Sequence, residues 1–146
     1  MTWNPIEALA DAVTWQGEKK PGKPFNGGWN SMAGSLARAV MPRTKNGADV
    51  IMQVTDRRLQ LTYVSRAGTR TGRYGPVEVG WSAQLGNVRW IRDRSDVAGG
   101  CHEIGFVDGS WCSVQFIGQG WRHMADAFPL RLSHLDRVPT GSGGAG

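Results

Sequence analysis

The sequence has few cysteines, few lysines and no long apolar run. Its two cysteines, Cys101 and Cys112, are too few for a disulfide framework or a four-ligand zinc site. We therefore predict that both are thiols without a disulfide. We also predict no metal and no other cofactor. No stretch approaches the roughly 18 apolar residues of a membrane-spanning helix. The first fifteen residues contain Glu7 and Asp11 and lack the basic start and unbroken apolar core of a secretion signal. We therefore predict a cytoplasmic protein, with peripheral attachment to a membrane left open.

The composition indicates one globular domain with a basic surface. The chain has 146 residues, 40% of them hydrophobic, which is enough for one domain with its own core and too few for two. Many of its 21 glycines lie between short apolar runs, and this pattern favours strands and tight turns over long helices. The net charge of +5 is compatible with an anionic ligand, an acidic protein, an anionic membrane surface or an ordinary soluble surface.

Two short helices are predicted in the N-terminal third. Asn4 precedes a proline, as at many helix starts, and apolar residues at helical spacing extend a first helix over about residues 5–13. The same spacing predicts a second helix over about residues 31–41, which ends at Pro42. The residues between them, 16–28, form a loop rich in glycine, proline and lysine.

The segment 49–65 carries the clearest structural signal. If Asp56 and Arg57 form a two-residue turn, six apolar side chains fall on one face in three facing pairs, while the polar residues fall on the other. The pairs are Val54 with Leu59, Met52 with Leu61, and Val50 with Tyr63; Ile51 is the exception on the polar face. A shift by one residue would scatter both sets, so the pattern predicts a hairpin in this register.

Two further strands are predicted by alternation. Residues 77–83 place Val77, Val79, Trp81 and Ala83 on one face. Residues 85–92 place Val88 and Trp90 on one face, with Arg89 and Ile91 on the other.

A second hairpin is predicted over residues 101–117. A two-residue turn at Asp108 and Gly109 would mix apolar and polar side chains on both faces. A three-residue loop with Gly109 in the left-handed conformation instead collects the apolar residues on one face, and we favour it. This register places Trp111 on the outside, opposite Gly105, where an aromatic ring can cover a bare glycine.

A short amphipathic helix is predicted near the C-terminus. Trp121, Met124, Ala125 and Phe128 are spaced i, i+3, i+4 and i+7, which places them on one side of a helix that stops at Pro129.

The turn of the first hairpin resembles a motif of a known family. Residues 54–59, Val-Thr-Asp-Arg-Arg-Leu, are similar to the T-D/N-R/K-R-L turn of bacterial pleckstrin-homology-like (PH-like) and GRAM-like domains, and the resemblance extends over about residues 49–128. It implies a roughly seven-stranded curved sheet with a C-terminal helix. We count six strands; a seventh would lie near residues 13–16 or 25–29, or would not exist. Domains that this chain resembles usually bind lipid headgroups, peptides or partner proteins and usually lack catalytic residues.

The predicted fold is therefore mainly β (α+β): a curved antiparallel sheet or partly open PH-like barrel, capped by a C-terminal helix and preceded by two short N-terminal helices. Residues 1–48 hold these helices and a basic loop packed on the barrel, residues 49–135 form the PH-like domain, and residues 136–146 form a flexible tail. The predicted function is a non-enzymatic binding or adaptor module for an anionic group or a protein partner. Nucleic acid is disfavoured as a ligand, because the basic residues lack interleaved aromatic residues for stacking.

Two basic clusters are the candidate anion sites. In the loop 65–73, arginines supply forked donors and threonines add hydroxyls, which suits an anionic group. The candidate residues are Arg66, Thr69, Arg70, Thr71 and Arg73. A secondary basic patch comprises Lys19, Lys20, Lys23, Arg43 and Lys45. The alternative for both clusters is a solvated loop without a ligand.

Two other functions are kept as alternatives. A small enzyme would have its site around His102 and His123, although Cys101 and His102 are neighbours on one strand and so face opposite sides. A structural or assembly protein would use the N-terminal helices, which are rich in tryptophan, as its interface. In that case Trp15 and Trp29 would be exposed rather than docked on the barrel.

Overall fold

The computed structural model describes residues 10–15, 25–45, 48–65 and 77–139, and these form a mainly β fold. The strands are β1 (Ala10–Trp15), β2 (Phe25–Asn26), β3 (Ala48–Val54), β4 (Arg58–Ser65), β5 (Val77–Gln84), β6 (Val88–Asp93), β7 (Cys101–Phe106), β8 (Trp111–Ile117) and β9 (Leu130–Leu132). The helices are α1 (Met32–Lys45) and α2 (Trp121–Met124), and 3₁₀ turns cover Leu85–Asn87 and Ala125–Ala127. None of the helices in these ranges is both long enough and apolar enough to cross a membrane.

All nine strands belong to one sheet with the order β5-β4-β3-β1-β8-β7-β6-β9, and β2 pairs with β8 beside this path. The pairing of β6 with β9 is parallel and the other pairings are antiparallel. Seven of the strands have six or more residues. One of them, β1, lies in the middle of the sheet between β3 and β8, so residues 10–15 belong to the same sheet as the predicted hairpins.

The first hairpin has the predicted register. Val54 pairs with Leu59, Met52 with Leu61 and Val50 with Tyr63. All six side chains are buried. Thr55 fixes the turn, because its hydroxyl accepts hydrogen bonds from the backbone N–H groups of Arg57 and Arg58.

The second hairpin also has the favoured register. Ile104 pairs with Cys112 and Gly105 with Trp111, which leaves the three-residue loop at 107–109. Gly109 has a φ of 85°, the left-handed conformation that the loop requires. The ring over Gly105 is not Trp111 as expected, however: a Cβ atom built on this glycine would overlap the indole of Trp90, on the neighbouring strand β6.

The predicted assignment of side chains to the two faces of β5 and β6 is wrong, because each strand contains a β-bulge. In β5, Trp81 pairs with Leu61 but Val79 pairs with Thr62, so Gly80 is an extra residue and Val79 is turned outward, with 58% of its surface exposed. In β6, the extra residue is Arg89.

The bulge in β6 changes which side chains reach the core. Val88 pairs with Phe106 and Ile91 with Ile104, so both contribute to the core. Trp90 lies on the opposite face from Val88, contrary to the prediction. An alternating pattern assumes an uninterrupted ladder, and a bulge reverses the facing of every residue beyond it.

Of the two predicted N-terminal helices, the first is wrong over its described part. Residues 10–13, the described end of the predicted first helix, belong to β1, which pairs with β3 on one side and β8 on the other. Two ladders of backbone hydrogen bonds outweigh the weak local preference of so short a helix. The second segment is helical, but α1 begins at Met32 and continues through Pro42 to Lys45.

Helix α1 is capped by a serine and held against the sheet by hydrogen bonds from two strands. Ser31 caps its start, because its hydroxyl accepts a bond from the N–H of Gly34. The indole of Trp81 donates to the Ser35 hydroxyl at 3.0 Å, and the Tyr63 hydroxyl donates to the carbonyl of Ala39 at 2.9 Å. On its inner side α1 contributes Ala33, Leu36, Ala37 and Val40 to the core.

The core shows that the sheet is strongly curved. The rings of Trp81 on β5 and Phe106 on β7 lie 6.3 Å apart, edge to face. Five strand spacings separate these strands in the sheet, which would be about 24 Å in a flat sheet. Within the described residues β5 and β6 do not pair with each other, so the sheet bends around the core without forming a closed barrel.

The predicted C-terminal helix is shorter than expected. Four residues form α2, a 3₁₀ turn follows, and Phe128 is already extended. The apolar side chains nevertheless point inward, since Met124, Ala125 and Phe128 are buried. The element that packs across the sheet is α1, and the chain after α2 adds β9 to the edge of β6 instead.

The cysteines lie on opposite faces of the second hairpin, as the favoured register requires. Cys112 faces the core, and burial raises the pKa of its thiol to about 12. Cys101 pairs with Gln115, three residues further along β8, and is also buried. Direction and distance both prevent a disulfide between them.

The β7–β8 turn supplies a second cap to the start of α1, and we predict its contribution to stability. The carboxylate of Asp108 accepts a hydrogen bond from the N–H of Met32 at 2.9 Å and two more from the backbone and hydroxyl of Ser110. We expect Asp108→Ala to lower the free energy of unfolding by about 1 kcal/mol, because the first turn of α1 loses an acceptor.

The pH dependence of this effect has a definite sign. Burial acts to raise the pKa of Asp108, but the hydrogen bonds from Met32 and Ser110 outweigh it and lower the pKa below the ordinary value of 3.8. The carboxylate therefore stabilises the fold fully above pH 3.8, and this contribution is lost as the pH falls through the lowered folded-state value. Urea denaturation of both proteins at neutral and acidic pH measures the difference, which should shrink in acid. Asp56→Ala, in the other hairpin turn, is the control; an equal loss in both variants would contradict the cap.

Candidate functional site

The predicted anion-binding residues fall largely outside the described part of the chain. This applies to Arg66, Thr69, Arg70, Thr71 and Arg73, and to Lys19, Lys20 and Lys23. Arg43 and Lys45 lie in the last turns of α1. Both clusters therefore remain predictions.

The described residues form a cleft at the end of the sheet where β6 and β7 meet α2. It consists of two neighbouring open cavities of about 470 and 490 Å³. The first lies between β6, β9 and α2, and the second lies between the β6–β7 turn and the segment 118–122. Asp93, His102 and Trp121 line both cavities and so form the partition between them. Each volume is in the range of ordinary ligand sites.

His102 is the structural centre of this partition. Its ring lies 4.4 Å from that of Trp121 and 5.2 Å from that of Phe116, and only 2% of the residue is exposed. Its Nδ1 is 2.9 Å from the carbonyl oxygen of Gly100. A carbonyl only accepts, so Nδ1 carries the proton of this bond. His102 is thus held by the backbone and packs against the ring of Trp121.

The charges around the cleft are of both signs. Asp93 accepts a hydrogen bond from the N–H of Ser95 at 2.8 Å, and Asp136 accepts one from the N–H of Ser133 at 2.7 Å. Arg131 lines the first cavity and is paired with Asp126, which does not line it. The guanidinium of Arg122 lies 5.7 Å from the centre of the Trp121 ring, at the rim of the second cavity. The lining therefore combines an aromatic and aliphatic floor with carboxylates and arginines at the edges.

The two histidines of the enzyme alternative are not brought together by the cleft. His123 is exposed and lines neither of the two cavities that His102 lines. Cys101, which pairs with Gln115, lies on the face of β7 opposite to that of His102. The carboxylate beside His102 is Asp93, its cross-strand partner on β6. Within the described residues, no three histidine, cysteine or acidic side chains are grouped so that they could hold a metal ion.

The outer face of β6 and β7 carries a buried ion cluster that we did not predict from the sequence. Glu103 is 6% exposed, and its two oxygens lie 3.4 Å from Arg92 and 3.3 Å from Arg94. Arg94 also holds Asp96 by two hydrogen bonds, which raise the pKa of Arg94 and lower that of Asp96. The run of alternating charges in 92–96 was available as a signal, but pairing with Glu103 depends on the register between β6 and β7.

Of the five tryptophans whose side chains the structure describes, one is buried, three are half-buried and Trp29 is exposed. Trp29 retains 43% exposure, but its ring contacts Phe25 edge to face at 4.7 Å and carries the guanidinium of Arg38 at 5.8 Å from its centre. These contacts are typical of docking within the same chain. Trp3 and the side chain of Trp15 lie outside what the structure describes, so the assembly alternative stays a prediction.

Three comparisons, with protein-family models, curated proteins and solved structures, gave no match to this chain.

Proposed function

We propose that this chain is a non-enzymatic binding module, similar to PH-like domains, whose ligand is an extended segment of a partner protein lying across the cleft. The observation that carries the proposal is that Asp93, His102 and Trp121 line both cavities, so the two cavities adjoin along these residues and together form one groove. Seven long strands bent around one core support the comparison with PH-like domains, because the resemblance implies about that number.

The charge of the cleft favours a protein over a simple anion. Asp93 stands in the middle of the groove and Asp136 lines the first cavity, so an anionic headgroup would face carboxylates. A peptide offers N–H groups to these carboxylates, carbonyl oxygens to Arg122, and apolar side chains to Trp121. This mixture of partners is what the lining provides.

The backbone next to the cleft already accepts an extended segment. β9 is held on the edge of β6 by parallel pairing of Trp90 with Leu130 and of Arg92 with Leu132. A partner segment in the first cavity would run beside β9, where backbone pairing adds affinity and the cavities select side chains.

Selection of peptides tests the proposal. A random peptide library displayed on phage is panned against the whole chain, and enriched peptides are titrated into ¹⁵N-labelled protein. We expect shifts of Asp93, of the Trp121 indole and of Arg122. Asp93→Asn, which keeps an acceptor for Ser95 but removes the charge, should weaken binding by at least about fivefold, the loss of one charged hydrogen bond.

The control is Arg89→Gln, on a strand but in neither cavity lining. It should bind the same peptides unchanged. The proposal is wrong if no peptide sequence is enriched, or if the enriched peptides shift β5 or another surface and leave the cleft resonances in place.

A further inference from the structure

The turn that carries the family resemblance also borders a third cavity, separate from the two of the cleft. It has a volume of about 440 Å³ and lies between the β3–β4 turn and the end of β5. Asp56, Arg57 and Arg58 line one side, and Gln84, Leu85 and Gly86 line the other.

This cavity has a well-defined frame. The N–H of Leu85 donates to the carbonyl of Arg57 at 2.7 Å, which joins its two sides directly. Arg58 pairs with Gln84 across β4 and β5, so these side chains start from neighbouring positions on one face. The hydroxyl of Thr55 holds the N–H groups of Arg57 and Arg58. The backbone around the two arginines is thus fixed from three directions.

The guanidinium groups of Arg57 and Arg58 are available to bind a ligand. Arg57 and Arg58 are exposed, and within the described residues neither side chain forms an ion pair or hydrogen bond. Arg92, Arg94 and Arg131, in contrast, are all paired with acidic residues. Asp56 is the one acidic residue in the lining, so the cavity carries a net positive charge.

We infer that this cavity binds a phosphate group. Two arginines that line the same cavity supply forked N–H donors that match the oxygens of a phosphate monoester, and the Gln84 amide adds a neutral donor from the facing strand. The ligand would be either the headgroup of a phosphorylated lipid or a free phosphorylated metabolite. This site is distinct from the cleft and does not depend on the proposed function, because no residue lines both.

Titration of ¹⁵N-labelled protein with inorganic phosphate at low ionic strength tests the site directly. We expect the amide signals of 55–58 and 84–86 to shift together, with saturation. Arg57→Gln/Arg58→Gln should weaken this binding at least about tenfold, since each charge-assisted bond contributes more than a neutral one. The matched control, Arg89→Gln/Arg137→Gln, removes the same total charge from positions outside the cavity and should leave the binding unchanged.

Sedimentation with vesicles separates the two sources of phosphate. Phosphatidylcholine vesicles are compared with others that contain an equal fraction of phosphatidic acid or of phosphatidylserine. Selective sedimentation with phosphatidic acid, lost in the Arg57/Arg58 variant, identifies a lipid phosphate; saturable binding of inorganic phosphate without it identifies a soluble one. Equal loss in the control variant, equal sedimentation with both anionic lipids, or signals of the cavity that never shift would each overturn the inference.

Discussion

Replacing Gly105 with alanine is expected to destabilise the protein by about 2 kcal/mol, in the range for overpacking a close-packed interior. The added methyl group would overlap the indole of Trp90, which is 3% exposed and therefore has little room to move. Trp90 lies directly opposite Gly105 on the neighbouring strand, so any shift of the ring also disturbs the pairing of β6 with β7. Urea denaturation monitored by far-UV circular dichroism measures the change.

Gly99→Ala is the matched control for this substitution. A Cβ atom at Gly99 meets no other atom within 4 Å, and its φ lies outside the left-handed region. It should leave the free energy of unfolding nearly unchanged. A loss in Gly105→Ala no larger than in Gly99→Ala would show that the indole does not cover this glycine.

Replacing Glu103 with alanine is expected to cost about 2–3 kcal/mol. The substitution removes the carboxylate shared by Arg92 and Arg94 and leaves two guanidiniums without it in a region that is only partly exposed. Breaking a fully buried ion pair from one side costs about 3–5 kcal/mol, and we place this case lower because the arginine side chains retain 17% and 25% exposure. Chemical denaturation of both proteins at neutral pH measures the loss.

Two companion variants separate charge from packing at this position. Glu103→Gln keeps the shape and the acceptor, and it should lose part of the stability that Glu103→Ala loses. Asp96→Ala removes the exposed partner of Arg94 and should have no measurable effect. If Glu103→Ala is as stable as the Asp96 variant, the ion pairs of Glu103 do not contribute to the free energy of unfolding.

Both hairpins could be predicted from the sequence because each is a local structure with a strong internal constraint. The three facing pairs from Val50 to Tyr63 fit one register and no neighbouring one, and Gly109 fixes the second turn. What the alternation could not predict are the bulges at Gly80 and Arg89, since each depends on a ring or a strand that lies elsewhere in the chain.

The N-terminal strand escaped prediction for the same reason. The spacing that continues to Val13 is compatible with a helix, and the competing ladders come from β3 and from β8, whose residues are far away in the sequence. The cleft could not be predicted either, because it too depends on residues that are distant in the sequence. The sequence analysis named His102 as a candidate site residue and Trp121 as part of an apolar stripe, but the contact of their tilted rings at 4.4 Å depends on the way the end of β8 turns into α2.

The central position of β1 also determines when the molecule can fold during synthesis. Ala12 pairs with Ile117, so β1 must wait for more than a hundred further residues to be synthesised before its second neighbour exists. The β3–β4 ribbon can close as soon as it emerges, whereas the two halves of the sheet become joined only once β8 has been synthesised. Pairing over such a distance slows folding, and a nascent chain halted before β8 would carry an incomplete sheet with its central strand paired on one side.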